Sequence, residues 1–347
     1  MENNLIFIIL IIAVGLIFTF FNGANDSANI TATVVSSGVL SLGWAKFIAA
    51  IFEFLGACFL GTAVARTIAY KIVMPASVRH LPDTGIIILS AIAGALVWIV
   101  FLARKGIPVS SFHSLIGGII GSFTLSWGIN SLQWKNISNI FLVLLLSPFV
   151  GFFLSYLVTS VIGFFSRYFT PKVNILCKIL QLCTTTLLAF THGSNDGQKM
   201  MGIITFSLIA LGFHGWFPLL SDRSITVIPT WVIFSCALSI AFGVGFGQKR
   251  ILCNVGMRLF RVRIIHGLSA QSSSSLVIMV TGLLGFPLSS TQVISSSIAG
   301  TGAVGRPKAI RWHLLGRILF SWLVTMPAAA LISGLIYGTL SLLKRIL

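Results

Sequence analysis

Long apolar runs recur along the whole chain, and they limit its fold more than any other feature. Several reach 17 residues or more, enough for a helix to cross a hydrocarbon core of roughly 30 Å. They are rich in Leu, Ile and Phe and lack the period-2 alternation of an outer-membrane barrel. Only 8% of the 347 residues are charged, against about 25% in a soluble domain. A soluble chain this apolar could not keep its surface wet. The sequence reads as an all-α polytopic membrane protein.

Candidate spans are 5–21, 44–65, 84–103, 137–165, 174–191, 226–247, 271–285 and 314–343. The stretches 26–40, 107–127, 197–213 and 286–303 are shorter, richer in Gly and Ser, and follow a breaker. They read as half-helices or re-entrant segments, for a total of about ten to twelve membrane segments. Residues 5–21 are expected to stay as a first span, because Met1-Glu2-Asn3-Asn4 offers no basic n-region.

The net charge is +17, from 23 Lys and Arg against 6 Asp and Glu. The basic residues cluster in short loops, where they set orientation and touch anionic lipid. No nucleic-acid motif accompanies them, so no nucleic-acid partner is expected. The loop 248–266 is expected on the cytoplasmic side, with 66–79 and 306–317 competing. Cys58, Cys177, Cys183, Cys236 and Cys253 show no metal-ligand spacing.

An internal repeat organises the chain. Gly106-Ile107-Pro108-Val109-Ser110-Ser111 returns as Gly285-Phe286-Pro287-Leu288-Ser289-Ser290, an offset of 179. The same offset carries Leu89-Ser90-Ala91 onto Leu268-Ser269-Ala270, Gly121 onto Gly300 and Pro148 onto Pro327. Asn25-Asp26 returns as Asn195-Asp196 at an offset of 170. The difference places a net nine-residue insertion in the second half, near 216–229. The expected units are residues 1–165 and 166–347. Duplicated halves with interrupted apolar segments are the mark of secondary transporters, whose substrates bind near the bilayer midplane.

Few carboxylates lie in apolar surroundings. Of the six acidic residues, Asp26, Glu53 and Asp196 do, and a mid-membrane Asp costs about 2.5–3.5 kcal/mol on the insertion scale. Cation coordination or proton carriage would explain them. Capping of a broken helix would too, and both can hold at once. Gly23-Ala24-Asn25-Asp26 and Gly193-Ser194-Asn195-Asp196 offer oxygen ligands suited to a hard cation. Pro108-Val109-Ser110-Ser111 and Pro287-Leu288-Ser289-Ser290-Thr291 suit helix starts. Such a start presents unpaired N–H groups and a partial positive charge, and it binds oxyanions. Ser and Gly there could instead serve close helix packing. Together the two elements describe a cation–oxyanion symporter in which the cation neutralises charge that the bilayer penalises.

These residues resemble the inorganic phosphate transporter (PiT) family over nearly the whole chain. Asn22-Gly23-Ala24-Asn25-Asp26-Ser27-Ala28-Asn29 is similar to its first signature, and Pro108-Val109-Ser110-Ser111-Phe112-His113 to its Pro-Val-Ser-Thr-Thr-His. His192-Gly193-Ser194-Asn195-Asp196 and Pro287-Leu288-Ser289-Ser290-Thr291-Gln292 are the second-half counterparts, and Glu53 resembles a glutamate the family needs for transport. The resemblance implies inverted repeats, a midplane phosphate site and coupling to Na⁺ or H⁺. Carried onto this chain, phosphate binding falls to Ser110, Ser111, Ser289, Ser290, Thr291, Asn25 and Asn195. Coupling falls to Asp26, Asp196, Asn29, Glu53 and Lys199, with Na⁺ at Asp26 and Asp196 the one metal expectation.

The departures from the pattern are informative. Phe112 replaces a hydroxyl, Gln271 stands where many members have Glu, and Gly197-Gln198-Lys199 replaces Val-Ala-Asn. Gly193-Ser194-Asn195-Asp196-Gly197-Gln198-Lys199 and Ser269-Ala270-Gln271 are similar to the bacterial low-affinity, proton-linked branch, so H⁺ is favoured over Na⁺. Lys199 either replaces a coupling cation, assists phosphate, or snorkels to the interface. His113 and His192 read as packed neutral side chains, with a proton relay open for either. The expected substrate is inorganic phosphate, bare or as a metal–phosphate complex, and no further cofactor is expected. The setting is a cell (inner) membrane, with lipid and a second copy of the chain as partners. Sulfate symport or an anion channel are the alternatives. The sequence motifs of intramembrane aspartyl, serine and metal-dependent hydrolases do not occur, so no enzyme activity is expected.

Overall fold

The fold is given by a computed structural model that describes residues 2–73, 83–165, 173–213, 227–247, 262–304 and 307–346. These residues form eleven α-helices, with no strand among them. They are α1 Glu2–Ser36, α2 Leu42–Phe59, α3 Ala63–Lys71, α4 Thr84–Arg104, α5 Ser111–Trp127 and α6 Trp134–Phe165. The second half holds α7 Val173–Ala210, α8 Thr230–Gly245, α9 Ile264–Leu283, α10 Ser290–Ala303 and α11 Trp312–Ile346. Six of them are long and apolar enough to cross a membrane: α1, α2, α4, α6, α7 and α11. Their outward faces are greasy, with Phe141, Leu145, Phe149 and Phe153 of α6 and Leu319, Leu323, Leu331 and Leu335 of α11 exposed. The interior carries the polar groups, including Asn22, Asn25, Asp26, Glu53, His192 and Lys199. Apolar outside and polar inside is the distribution a bilayer imposes.

α1 and α7 differ from the expectation of broken helices. α1 runs unbroken for 35 residues and α7 for 38, lengths of about 52 and 57 Å at 1.5 Å per residue. Asn25-Asp26 and Asn195-Asp196 lie inside continuous helix, not at its start. No Pro interrupts either run, and the motif side chains bond to neighbouring helices instead of capping their own backbone. The two helices are antiparallel. Asn4 at the start of α1 donates to the Leu211 carbonyl just beyond α7, and Ser37 beyond the other end of α1 donates to Gln181 near the start of α7.

The short helices α5 and α10 have a local explanation. Gly106 and Gly285 sit at φ +71° and +75°, a conformation glycine adopts freely, and they end α4 and α9. Pro108 and Pro287 then keep the chain out of helix. Ser110 and Ser289 cap the next helix, their hydroxyls accepting from the His113 and Gln292 N–H. Most of α5 and nearly all of α10 are buried. At 14 residues α10 extends only about 21 Å, less than the roughly 30 Å of a hydrocarbon core.

Helix packing exchanges between the halves. α1 packs on α8 while α2 packs on α7; α5 packs on α11 while α6 packs on α10. The close approaches follow the same exchange. A Cβ on Gly23 would run into the Ile240 carbonyl and one on Gly243 into that of Phe20. A Cβ on Gly193 would meet the Glu53 carbonyl and one on Gly56 that of Phe190. This register aligns Glu53 with Ile240 and Gly56 with Gly243, an offset of 187. The net insertion of nine is therefore 17 residues gained before α8 and eight lost after it. Most of 216–229, the whole of 248–261 and Cys253 lie outside the described residues. α3 is a separate helix that the apolar pattern does not mark off from the preceding span. Gln198 of α7 caps it, accepting from the Val64 and Ala65 N–H at 2.8 and 3.1 Å.

Candidate functional site

The middles of α1 and α7 cross where the starts of α5 and α10 arrive. This brings both Asn-Asp pairs and both Pro-x-Ser-Ser turns into one buried cluster. Asp26 Oδ1 accepts from Asn29 Nδ2 at 2.7 Å, Thr291 Oγ1 at 2.7 Å and Asn25 Nδ2 at 3.2 Å. Asp196 accepts from Lys199 Nζ at 2.7 Å and Ser290 Oγ at 2.6 Å through Oδ1. Its Oδ2 accepts from Asn22 Nδ2 at 3.1 Å and Ser111 Oγ at 3.4 Å. The Val109 carbonyl, ahead of the α5 cap, accepts from Asn25 at 3.1 Å and Thr291 at 3.3 Å. Each carboxylate thus accepts a hydroxyl from the start of α10.

His192 stands at the centre. Its Nδ1 lies 2.6 Å from Glu53 Oε1, and its Nε2 lies 3.7 Å from Asp26 Oδ2 and 4.0 Å from Asp196 Oδ2. All four side chains are essentially inaccessible. One imidazole thus stands within ion-pair distance of three carboxylates. Ligand atoms of Asp26, His192 and Asp196 lie within 4.8 Å of one another, close enough to hold one ion. Beside them on α1, Asn22 Oδ1, Asn25 Oδ1, Asp26 Oδ2 and Asn29 Oδ1 are buried without a hydrogen-bond donor. Buried oxygens left without donors are costly, and hard cations are bound by such oxygens. The residues present therefore fit a small hard cation on the first-half side.

Most of the residues singled out from sequence converge here: Asn25, Asp26, Asn29, Glu53, Ser111, Asn195, Asp196, Lys199, Ser290 and Thr291 are all buried at or beside the cluster. Both polar atoms of the Asn195 side chain lack a partner among the described residues. Ser110 and Ser289 stand one residue back. Their hydroxyls are engaged in capping, and Ser110 Oγ also lies 2.6 Å from His113 Nδ1. His113 packs there, away from the carboxylates. Gln271 is held by Thr184 and Thr185, outside the cluster. Sequence reasoning misses Asn22 and underrates His192, which it reads first as a packed neutral side chain. The two occupy equivalent places, 170 apart and three residues before each Asn-Asp end. That equivalence is the available signal, masked because the two residue types differ.

Known proteins resemble the chain throughout. The profile of the phosphate transporter family matches residues 22–333. A "Probable low-affinity inorganic phosphate transporter" of Rhizobium meliloti (strain 1021) is 36% identical over 340 residues, covering 97% of this chain and 98% of the relative. A protein of the same description from Bacillus subtilis (strain 168) is 36% identical over 344 residues, covering 99% and 100%. A solved structure described as "The sodium-dependent phosphate transporter" superposes with a TM-score of 0.84 at 23% identity, covering 97% of this chain and 99% of that one. At that identity the likeness establishes a common fold.

Proposed function

The chain belongs to the phosphate transporter family, and from that premise we propose that it carries inorganic phosphate across the cell membrane by cation-coupled symport. One observation carries the coupling. Thr291 and Ser290, at the start of α10, donate to Asp26 and Asp196. The helix starts that would receive an oxyanion are therefore tied to carboxylates that repel it. An anion gains those donors once a cation or proton has neutralised the carboxylates. Binding of the two solutes is then linked, as symport requires. H⁺ is favoured over Na⁺ because His192 connects Asp26, Glu53 and Asp196. A proton taken up from solution would lower the negative charge of those four groups, and its passage among them would decide which carboxylate is neutralised.

The proposed architecture is two inverted repeats, 1–165 and 166–347. The antiparallel course of α1 and α7 supports it, as does the exchange of helix partners between halves. Inverted halves provide two related conformations open to opposite sides, the basis of alternating access. Uptake of labelled phosphate into proteoliposomes tests the reading. Concentrative uptake driven by an imposed pH gradient, unaffected by excess sulfate, is the expected result. Uptake competed by sulfate would change the substrate, and a dependence on Na⁺ alone would change the coupling ion. Flux that follows the phosphate gradient and never exceeds it would indicate a channel. Loss of uptake on withdrawing Mg²⁺ would identify a metal–phosphate complex as the carried species.

A further inference from the structure

Two of the differences between the halves meet in space. Asn29 in α1 is equivalent to Lys199 in α7, and Thr291 in α10 to Phe112 in α5. On the first-half carboxylate, the Asn29 amide and the Thr291 hydroxyl both donate to Asp26 Oδ1 at 2.7 Å. On the second, the Lys199 ammonium donates to Asp196 Oδ1 at the same 2.7 Å. The Phe112 ring then takes the place of the hydroxyl, its centroid 5.6 Å from Lys199 Nζ. An amide and a hydroxyl carry oxygens that can turn to a cation. An ammonium and an aromatic face carry none, but the face attracts the ammonium.

The carboxylate oxygens divide in the same way, although Asn195 Oδ1 on α7 is, like Asn25 Oδ1, buried without a donor. Asn22 Oδ1, Asn25 Oδ1, Asp26 Oδ2 and Asn29 Oδ1 on α1 have no donor, whereas both oxygens of Asp196 are engaged. Lys199 is 1% exposed and does not snorkel. We propose that Lys199, held between Asp196 and the Phe112 ring, is a built-in cation that fills the second-half cation position permanently. Only the first half then takes up a mobile cation, at Asp26. The carrier needs one fewer mobile cation per cycle than a chain with two alike halves. This inference rests on the cation-coupled reading above.

The test rebuilds the first-half chemistry in the second half. Binding of ²²Na⁺ at equilibrium is counted on the purified full-length protein and on a Lys199→Asn/Phe112→Thr variant, both checked for a monodisperse peak. The variant is expected to bind one more Na⁺ per chain. Adding Asp196→Asn should remove the extra ion, and adding Asp26→Asn should leave it. In proteoliposomes the charge moved per phosphate should rise by one. An equal Na⁺ count in both proteins overturns the proposal, as does an extra ion that depends on Asp26. If the double variant does not fold, Lys199→Asn alone carries the same expectation. A wild-type protein that binds cations but carries no phosphate would refute the substrate reading while the ion count still decides this one.

Discussion

Removing one member of the Lys199–Asp196 pair should destabilise the protein far more than removing both. The two groups are 2.7 Å apart and at most 1% exposed. Breaking a buried pair from one side typically costs about 3–5 kcal/mol, because the survivor is left buried and uncompensated. The two single variants should not cost the same. After Lys199→Met, Asp196 keeps Ser290, Asn22 and Ser111 as donors. Hydrogen bonds to a charged group contribute about 1.5–3 kcal/mol each, so this loss should sit near 3 kcal/mol. After Asp196→Asn, Lys199 keeps the Phe112 ring and an amide oxygen, and the loss should reach about 5 kcal/mol. The double variant replaces a buried pair with neutral groups and should fall within about 1–2 kcal/mol of the wild type. Reversible unfolding in mixed micelles, followed by circular dichroism, measures the cycle. Single losses under about 1 kcal/mol, or losses that simply add in the double variant, would refute the reasoning.

Thr291→Val removes one of three donors to Asp26 and leaves the Ser289 cap intact. It should lower uptake at least tenfold with little change in melting temperature. Ser110→Ala and Ser289→Ala remove caps and should each cost about 1 kcal/mol of stability, read in the same unfolding assay. His192→Asn gives the second half the residue found at Asn22 and breaks the links to Glu53 and Asp26. Uptake driven by a pH gradient should be lost while phosphate counterflow persists; retained pH-driven uptake would remove His192 from the proton path. Gly193→Ala and Gly56→Ala drive a Cβ into a facing carbonyl and should abolish the folded peak in size exclusion. Gly43→Ala, in helix with open space around it, should stabilise by up to about 1 kcal/mol.

The sequence makes some parts of this fold plain and hides others, for physical reasons. Hydropathy places α4 to within a residue, because its apolar run is bounded by Asp83 at one end and Arg104-Lys105 at the other. The Gly-x-Pro-x-Ser-Ser turns are legible because each residue acts locally. The glycine ends one helix, the proline bars its continuation, and the serine caps the next. The continuity of α1 and α7 is not legible. An Asn-Asp pair favours a helix start locally, and only contacts from α5 and α10 keep it inside a helix. The partnership of His192 with Glu53 depends on α2 crossing α7 at Gly193 and Gly56. No local pattern records a crossing between residues so far apart in the chain. The insertion is visible by its net size alone, since a gain before α8 and a loss after it partly cancel.

The partner exchange also bears on how the chain is made. α10 carries Ser295, Ser296, Ser297 and Thr301 and is buried on nearly all faces, so lipid alone is a poor host for it. Its main neighbour, α6, is synthesised earlier and waits for it. α5 has the opposite history, because it packs most extensively on α11, the last of the described helices to leave the ribosome. During most of synthesis α5 must shelter against α4, its other extensive neighbour, without its final one. This seam can therefore close only after α11 has been made. Between emergence of α5 and arrival of α11, the face of α5 that α11 covers in the finished fold is without its partner.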